Sequence, residues 1–103
     1  MIDLVREHLP DIKRICRRFQ VKRLELFGSA LAKEKYESQR SDLDFLVEFL
    51  PLQTGEHADA YFGLLAALED LFSCHIDLVV EEAIKNRYFL ESINRAREVL
   101  YAA

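Results

Sequence analysis

Three short segments hold residue types that can do chemistry together. Asp42 and Asp44 stand two apart in S-D-L-D (41–44), Asp77 stands in C-H-I-D-L-V-V (74–80), and Gly28-Ser29 follows V-K-R-L-E-L-F (21–27). Residues i and i+2 of a strand point to the same side. A strand beginning at Asp42 therefore sets two carboxylates on one face, with Cβ atoms about 6.5–7 Å apart. Two carboxylates held close repel, which raises one pKa unless a cation lies between them. Mg²⁺ accepts such oxygen ligands and keeps positions for substrate phosphates. A third acid on the same face completes a two-metal site or serves as base for an incoming hydroxyl. Glycine after a strand lets a ligand approach the backbone. The N–H groups at a helix start, with a serine hydroxyl beside them, favour an anion. Each segment alone has a plainer reading. Gly28-Ser29 is then a turn with a serine cap, Asp42 a loop end, and Asp44 and Asp77 solvated strand residues.

The elements around these segments follow from hydrophobic period. Ile2, Val5 and Leu9 share a helical stripe, and Pro10 ends that turn or opens the next helix, where its missing N–H costs nothing. Ile12, Ile15, Cys16 and Phe19 continue at helical spacing, opposite Lys13, Arg14, Arg17 and Arg18. Strands are predicted over 21–27, 43–49 and 76–80. Each has one apolar face (Leu24 and Leu26; Leu43, Phe45, Val47 and Phe49; Ile76, Leu78 and Val80). Arg23, Glu25, Asp44, Glu48 and Asp77 fall on the other side. A short helix near 30–33, a polar loop over 34–41, a helix over about 57–72, a final helix carrying Phe89, Ile93 and Ala96, and a short last strand near 99–101 complete the order. The expected fold class is α/β: a single mixed sheet with helices packed on one face, in one domain spanning 1–103.

Composition narrows the function. The chain has 103 residues, with 14 basic and 18 acidic side chains and a formal net charge of −4. A protein that lives on the phosphate field of DNA or RNA needs a basic face, so direct nucleic-acid binding is not expected. Cys16 and Cys74 are too few for a disulfide scaffold and lack zinc-ligand spacing; both sit among apolar neighbours and are expected to be buried thiols. His8, His57 and His75 have no spacing that implies a metal or a nucleophile triad, although His75 falls on the same side as Asp77. No apolar run reaches a membrane span and the first residues carry no apolar signal region, so a cytoplasmic, soluble protein is expected.

The joint order is far more specific than its parts. A strand, Gly-Ser and a helix, then S-D-x-D leading into an apolar strand, then a lone Asp in a third strand, resembles the minimal nucleotidyltransferase family of the polymerase-beta-like superfamily. The resemblance runs over LELFGSALAKEKYESQRSDLDFLVEF (24–49), CHIDLVV (74–80) and NRYFLESINRAREVLYAA (86–103). It implies the polymerase-beta-like palm, with Gly28 and Ser29 holding a nucleoside triphosphate, Asp42 and Asp44 binding Mg²⁺, and Asp77 as the third acid for metal and acceptor hydroxyl. The segment Ala30–Ser41 is two residues longer than the family's usual spacing, and Ala30, Leu31 and Ala32 stand where many members place an arginine. Lys33, Lys35 and Arg40 are the cations nearby. The implied activity is Mg²⁺-dependent transfer of AMP from ATP. Minimal members of this kind resemble antitoxins that modify a tyrosine of a HEPN-domain toxin, so the implied partner is a HEPN protein in a hetero-oligomer, and a homo-oligomer is the other possibility. The alternative is a non-catalytic module that neutralises a HEPN ribonuclease by covering it, with Tyr61, Phe62, Tyr88 and Tyr101 as surface candidates.

Overall fold

A computed structural model describes residues 3–27, 43–80 and 97–103 of the chain. Helix α1 spans Asp3–Glu7 and α2 spans Leu9–Arg18. The break falls at His8, whose N–H donates to Val5 O at 3.1 Å and whose carbonyl accepts from Ile12 N–H at 2.9 Å. Pro10 sits in the first turn of α2, where no intrahelical acceptor awaits an N–H. Asp11 in that turn and Arg17 and Arg18 in the last one complement the helix dipole.

Strand β1 (Val21–Phe27) follows directly, through Gln20 in the left-handed region at φ 58°. The Gln20 carbonyl accepts from Leu50 N–H at 2.9 Å, which ties the start of β1 to the end of β2 (Leu43–Phe49). Helix α3 (Glu56–Phe72), β3 (Ile76–Val80) and β4 (Arg97–Ala102) complete the described elements. The sheet order is β3-β2-β1-β4; β1 is antiparallel to β2 and β4, and β2 is parallel to β3. This is the mixed sheet expected from the sequence, and the short last strand is present and longer than 99–101. The expected helices near 30–33 and after 81, and the loop over 34–41, lie outside the described residues.

One face of the sheet meets the helices. Val5 of α1, Ile12 and Cys16 of α2, and Ala60, Leu64, Leu68 and Phe72 of α3 pack against Leu24, Leu26, Leu43, Phe45, Val47, Ile76, Leu78 and Leu100. The period-2 apolar sides of the strands and the i, i+4 stripe of α3 thus build one core. Tyr61 pins α3 to the edge strand by donating its hydroxyl to Leu78 O at 2.7 Å.

The second face departs from a simply solvated surface. Phe27 of β1 and Leu46 of β2 are buried there, with Val79 of β3 packed on them. Glu25, expected to face solvent, is 2% exposed. Its register partner is Leu46, so it stands beside that apolar band, and Arg23 reaches it at 2.8 Å. Alternation assigns the side of a residue correctly but not what its neighbours cover. Cys74 is half-buried rather than buried, whereas Cys16 is fully enclosed.

Two outcomes follow from this packing. Burial pushes the Cys16 thiol from 9.0 up to about 12. The unfolded chain ionises that thiol first, so its contribution to stability is complete below pH 9 and is lost as pH rises from 9 toward 12. Urea midpoints measured at about pH 8 and about pH 10.5 should fall in the native protein, and by less in Cys16→Ala. Gly63 lies under the Phe19 ring, which a Cβ would overlap. Gly63→Ala should therefore lower the melting temperature despite a helix-propensity gain of about 1 kcal/mol, and should raise it in a Phe19→Leu background.

Candidate functional site

Asp44 and Asp77 are direct register partners across the parallel β2–β3 pair. Neighbouring strands run about 4.8 Å apart, and paired residues point to the same face. That face is the one opposite the helices, because Leu43, Phe45, Ile76 and Leu78 on either side of the two acids are core residues. The sheet register thus brings together two of the three sequence-predicted acids. Asp44 is half-buried and the Asp77 side chain is 52% exposed, so the pair opens to solvent on one side. The third acid, Asp42, and the Gly28-Ser29 pair lie outside the described residues. Their chain neighbours are well placed. Phe27, the residue before Gly28, is the cross-strand partner of Asp44. Leu43, the residue after Asp42, donates its N–H to His75 O at 3.2 Å.

His75 is a further group at this corner. Its Nε2 lies 3.2 Å from Asp77 Oδ1, as the i, i+2 relation in an extended segment allows. With the proton on Nε2 the imidazole donates to the carboxylate, which leaves Asp77 Oδ2 for another ligand. Both side chains are largely exposed, so the contact orients Asp77 rather than supplying much stability.

Like charges set directly opposite each other in a sheet are destabilising. Two carboxylates with this placement form an oxygen-only donor set that fits a hard divalent cation such as Mg²⁺. Among the described residues no group of three His, Cys, Asp or Glu side chains that could hold a metal is found, and the third expected acid, Asp42, lies outside them. No helix among the described residues is long and apolar enough to cross a membrane.

Comparisons with known proteins show the family. The family model for the nucleotidyltransferase domain matches residues 10–100. The chain belongs to the nucleotidyltransferase domain family. A relative from Methanocaldococcus jannaschii, named "putative protein adenylyltransferase", is 36% identical over 91 residues, covering 88% of this chain and 85% of its own. Among solved structures, one described as a "putative minimal nucleotidyltransferase" superposes with a TM-score of 0.71 at 29% identity, covering 90% of this chain and 89% of that one. Two more distant structures share the fold. A toxin–antitoxin with AMP-PNP has a TM-score of 0.68 at 18% identity, covering 92% of this chain and 73% of its own. A tri-AMPylated Shewanella oneidensis HEPN toxin in complex with its MNT antitoxin has a TM-score of 0.65 at 17% identity, covering 96% and 73%. As a nucleotidyltransferase of this fold, the chain is an enzyme whose paired acids stand at the β2–β3 corner.

The repulsion within the acid pair gives the first test of the site. Mg²⁺ with ATP at millimolar levels should raise the melting temperature of the native protein, since only the folded state holds both acids in place. Asp77→Asn should melt no lower than the native protein without metal and should lose the Mg²⁺–ATP response, as read by calorimetry. A native protein indifferent to Mg²⁺ and ATP contradicts the assignment.

Proposed function

We propose that this nucleotidyltransferase transfers AMP from ATP to a hydroxyl of a partner HEPN toxin, a tyrosine by the family resemblance, and so acts as an antitoxin. The observation that carries the reading is the Asp44–Asp77 register pairing on the exposed side of the sheet. The relative named as a protein adenylyltransferase supports a protein acceptor. The toxin–antitoxin neighbours, one with AMP-PNP and one with an AMPylated HEPN toxin, support the donor and the partner.

In the proposed reaction the acceptor oxygen attacks the α-phosphorus of ATP. A new O–P bond forms, the bond to the bridging oxygen breaks, and pyrophosphate leaves with that electron pair. A tyrosine hydroxyl ionises near pH 10, so at neutral pH its proton needs an acceptor. Asp77, exposed and oriented by His75, is assigned that role. Asp42 and Asp44, with Asp77, would hold Mg²⁺, which when bound supplies charge neutralisation at the phosphates. Gly28 and Ser29, next in sequence to the strand end facing Asp44, are assigned to the triphosphate.

Purified protein incubated with labelled ATP, Mg²⁺ and its cognate HEPN protein should transfer label to that protein. Asp44→Asn and Asp77→Asn should each slow transfer by about 10²–10³-fold, the scale of losing a transition-state electrostatic contact. Neutralisation of the toxin that survives the Asp42→Asn, Asp44→Asn double change, with no label transferred, overturns catalysis in favour of a purely covering antitoxin.

A further inference from the structure

The paired acids belong to a longer row across the sheet. Asp77 of β3 pairs with Asp44 of β2, Asp44 with Phe27 of β1, and Phe27 with Arg97 of β4. Paired residues of neighbouring strands share a face. The row Asp77–Asp44–Phe27–Arg97 therefore crosses the side of the sheet opposite the helices, at the end where β1 stops and β2, β3 and β4 begin. By strand spacing Arg97 stands about 9.6 Å from Asp44 and about 14 Å from Asp77.

The next row on this face is Val79–Leu46–Glu25–Val99. Among the described residues Arg97 is thus the one basic residue in the two rows at the site end of the sheet. Arg23 lies one row farther along β1 and is ion-paired with Glu25 at 2.8 Å. Lys33, Lys35 and Arg40, the cations near Gly28-Ser29 in sequence, lie outside the described residues.

An arginine on an edge strand has an ordinary use, since charge there blunts pairing with another sheet. Its register position argues for more. The site is assembled from carboxylates, and the substrate assigned to it is a polyanion. A metal held by the acids neutralises the phosphates next to it. The phosphates farther along, which leave together as pyrophosphate, need a cation of the protein. β1 ends at Phe27, between Asp44 and Arg97 in the row, and Gly28-Ser29 follows in sequence from that position. A triphosphate that starts at the acids and passes the Gly28-Ser29 segment is carried toward β4. Arginine suits that end: its planar fork matches phosphate oxygens with two parallel N–H donors. A fixed cation also stabilises the charge that gathers on a leaving group.

We infer that Arg97, on the same sheet row as Asp44 and Asp77, binds the terminal phosphates of the nucleoside triphosphate and stabilises the departing pyrophosphate. The inference rests on the reading above that ATP is the donor, and the experiment separates the two. Calorimetry in the presence of Mg²⁺ measures binding of the non-hydrolysable analogue AMP-PNP and of AMP to the native chain, Arg97→Lys and Arg97→Gln. Arg97→Gln should weaken AMP-PNP about tenfold or more, the scale of losing one charge-assisted hydrogen bond, and Arg97→Lys should recover part of the loss. Its AMP-PNP binding should also depend less on salt. AMP lacks the terminal phosphates and should bind all three proteins alike, and their melting temperatures without nucleotide should match. A variant that melts lower and loses AMP and AMP-PNP equally has lost structure rather than a phosphate contact, and overturns the inference. Native-like AMP-PNP affinity in Arg97→Gln, with the loss appearing instead in Lys33→Gln, Lys35→Gln or Arg40→Gln or in none of them, overturns the inference and leaves ATP as the donor. A native chain that binds no AMP-PNP overturns both.

Discussion

The placement of Asp44 directly beside Asp77 is the constraint on which the site depends, and the sheet register enforces it. Two unit charges 4 Å apart repel by about 1 kcal/mol in water and about 4 kcal/mol near a protein surface. Burial of the flanking residues outweighs this repulsion. Leu43, Phe45, Ile76 and Leu78 are each buried, and burying a side chain of that size contributes about 1.5–3 kcal/mol. A slip of one residue along β2 would turn Leu43 and Phe45 out of the core and carry Asp44 into it. Hydrophobic burial therefore wins, and the acids stay in register.

The remainder of the fold holds that register in place. Tyr61 fixes α3 to Leu78 on β3, one residue beyond Asp77. The contact of Leu43 N–H with His75 O extends the pairing of β2 and β3 toward Asp42 by one more bond. On the open face the Phe27–Leu46–Val79 band lies next to the acids and gives them a dry border. A low-dielectric border strengthens the charge interactions beside it. Glu25 stands in the row of Leu46 and Val79, and Arg23 is ion-paired with it at 2.8 Å.

Much of this was readable in the sequence, for identifiable reasons. The apolar residues two apart in LDFLVEF and IDLVV fix the core sides of β2 and β3, although Leu46 and Val79 break the alternation on the other side, so both strands fall where the period places them. The S-D-L-D and H-I-D-L segments announce their acids by position in those strands. What alternation cannot supply is the partner of each residue. That Asp44 meets Asp77, and not a neighbour two residues along, is a property of the parallel pairing. The burial of Glu25 was not legible either, since it arises from an apolar band assembled from three strands far apart in sequence. The i, i+2 spacing of His75 and Asp77 did carry the signal for their contact.

Crystals of the protein soaked with Mn²⁺ and a non-hydrolysable ATP analogue show whether Asp44 and Asp77 share one ion, because the anomalous signal locates the ion itself. A peak within coordination distance of carboxylate oxygens of both Asp44 and Asp77, beside the triphosphate, is expected. A peak bound by Asp44 without Asp77, or an Asp77 carboxylate turned away from a fully occupied ion, would contradict it.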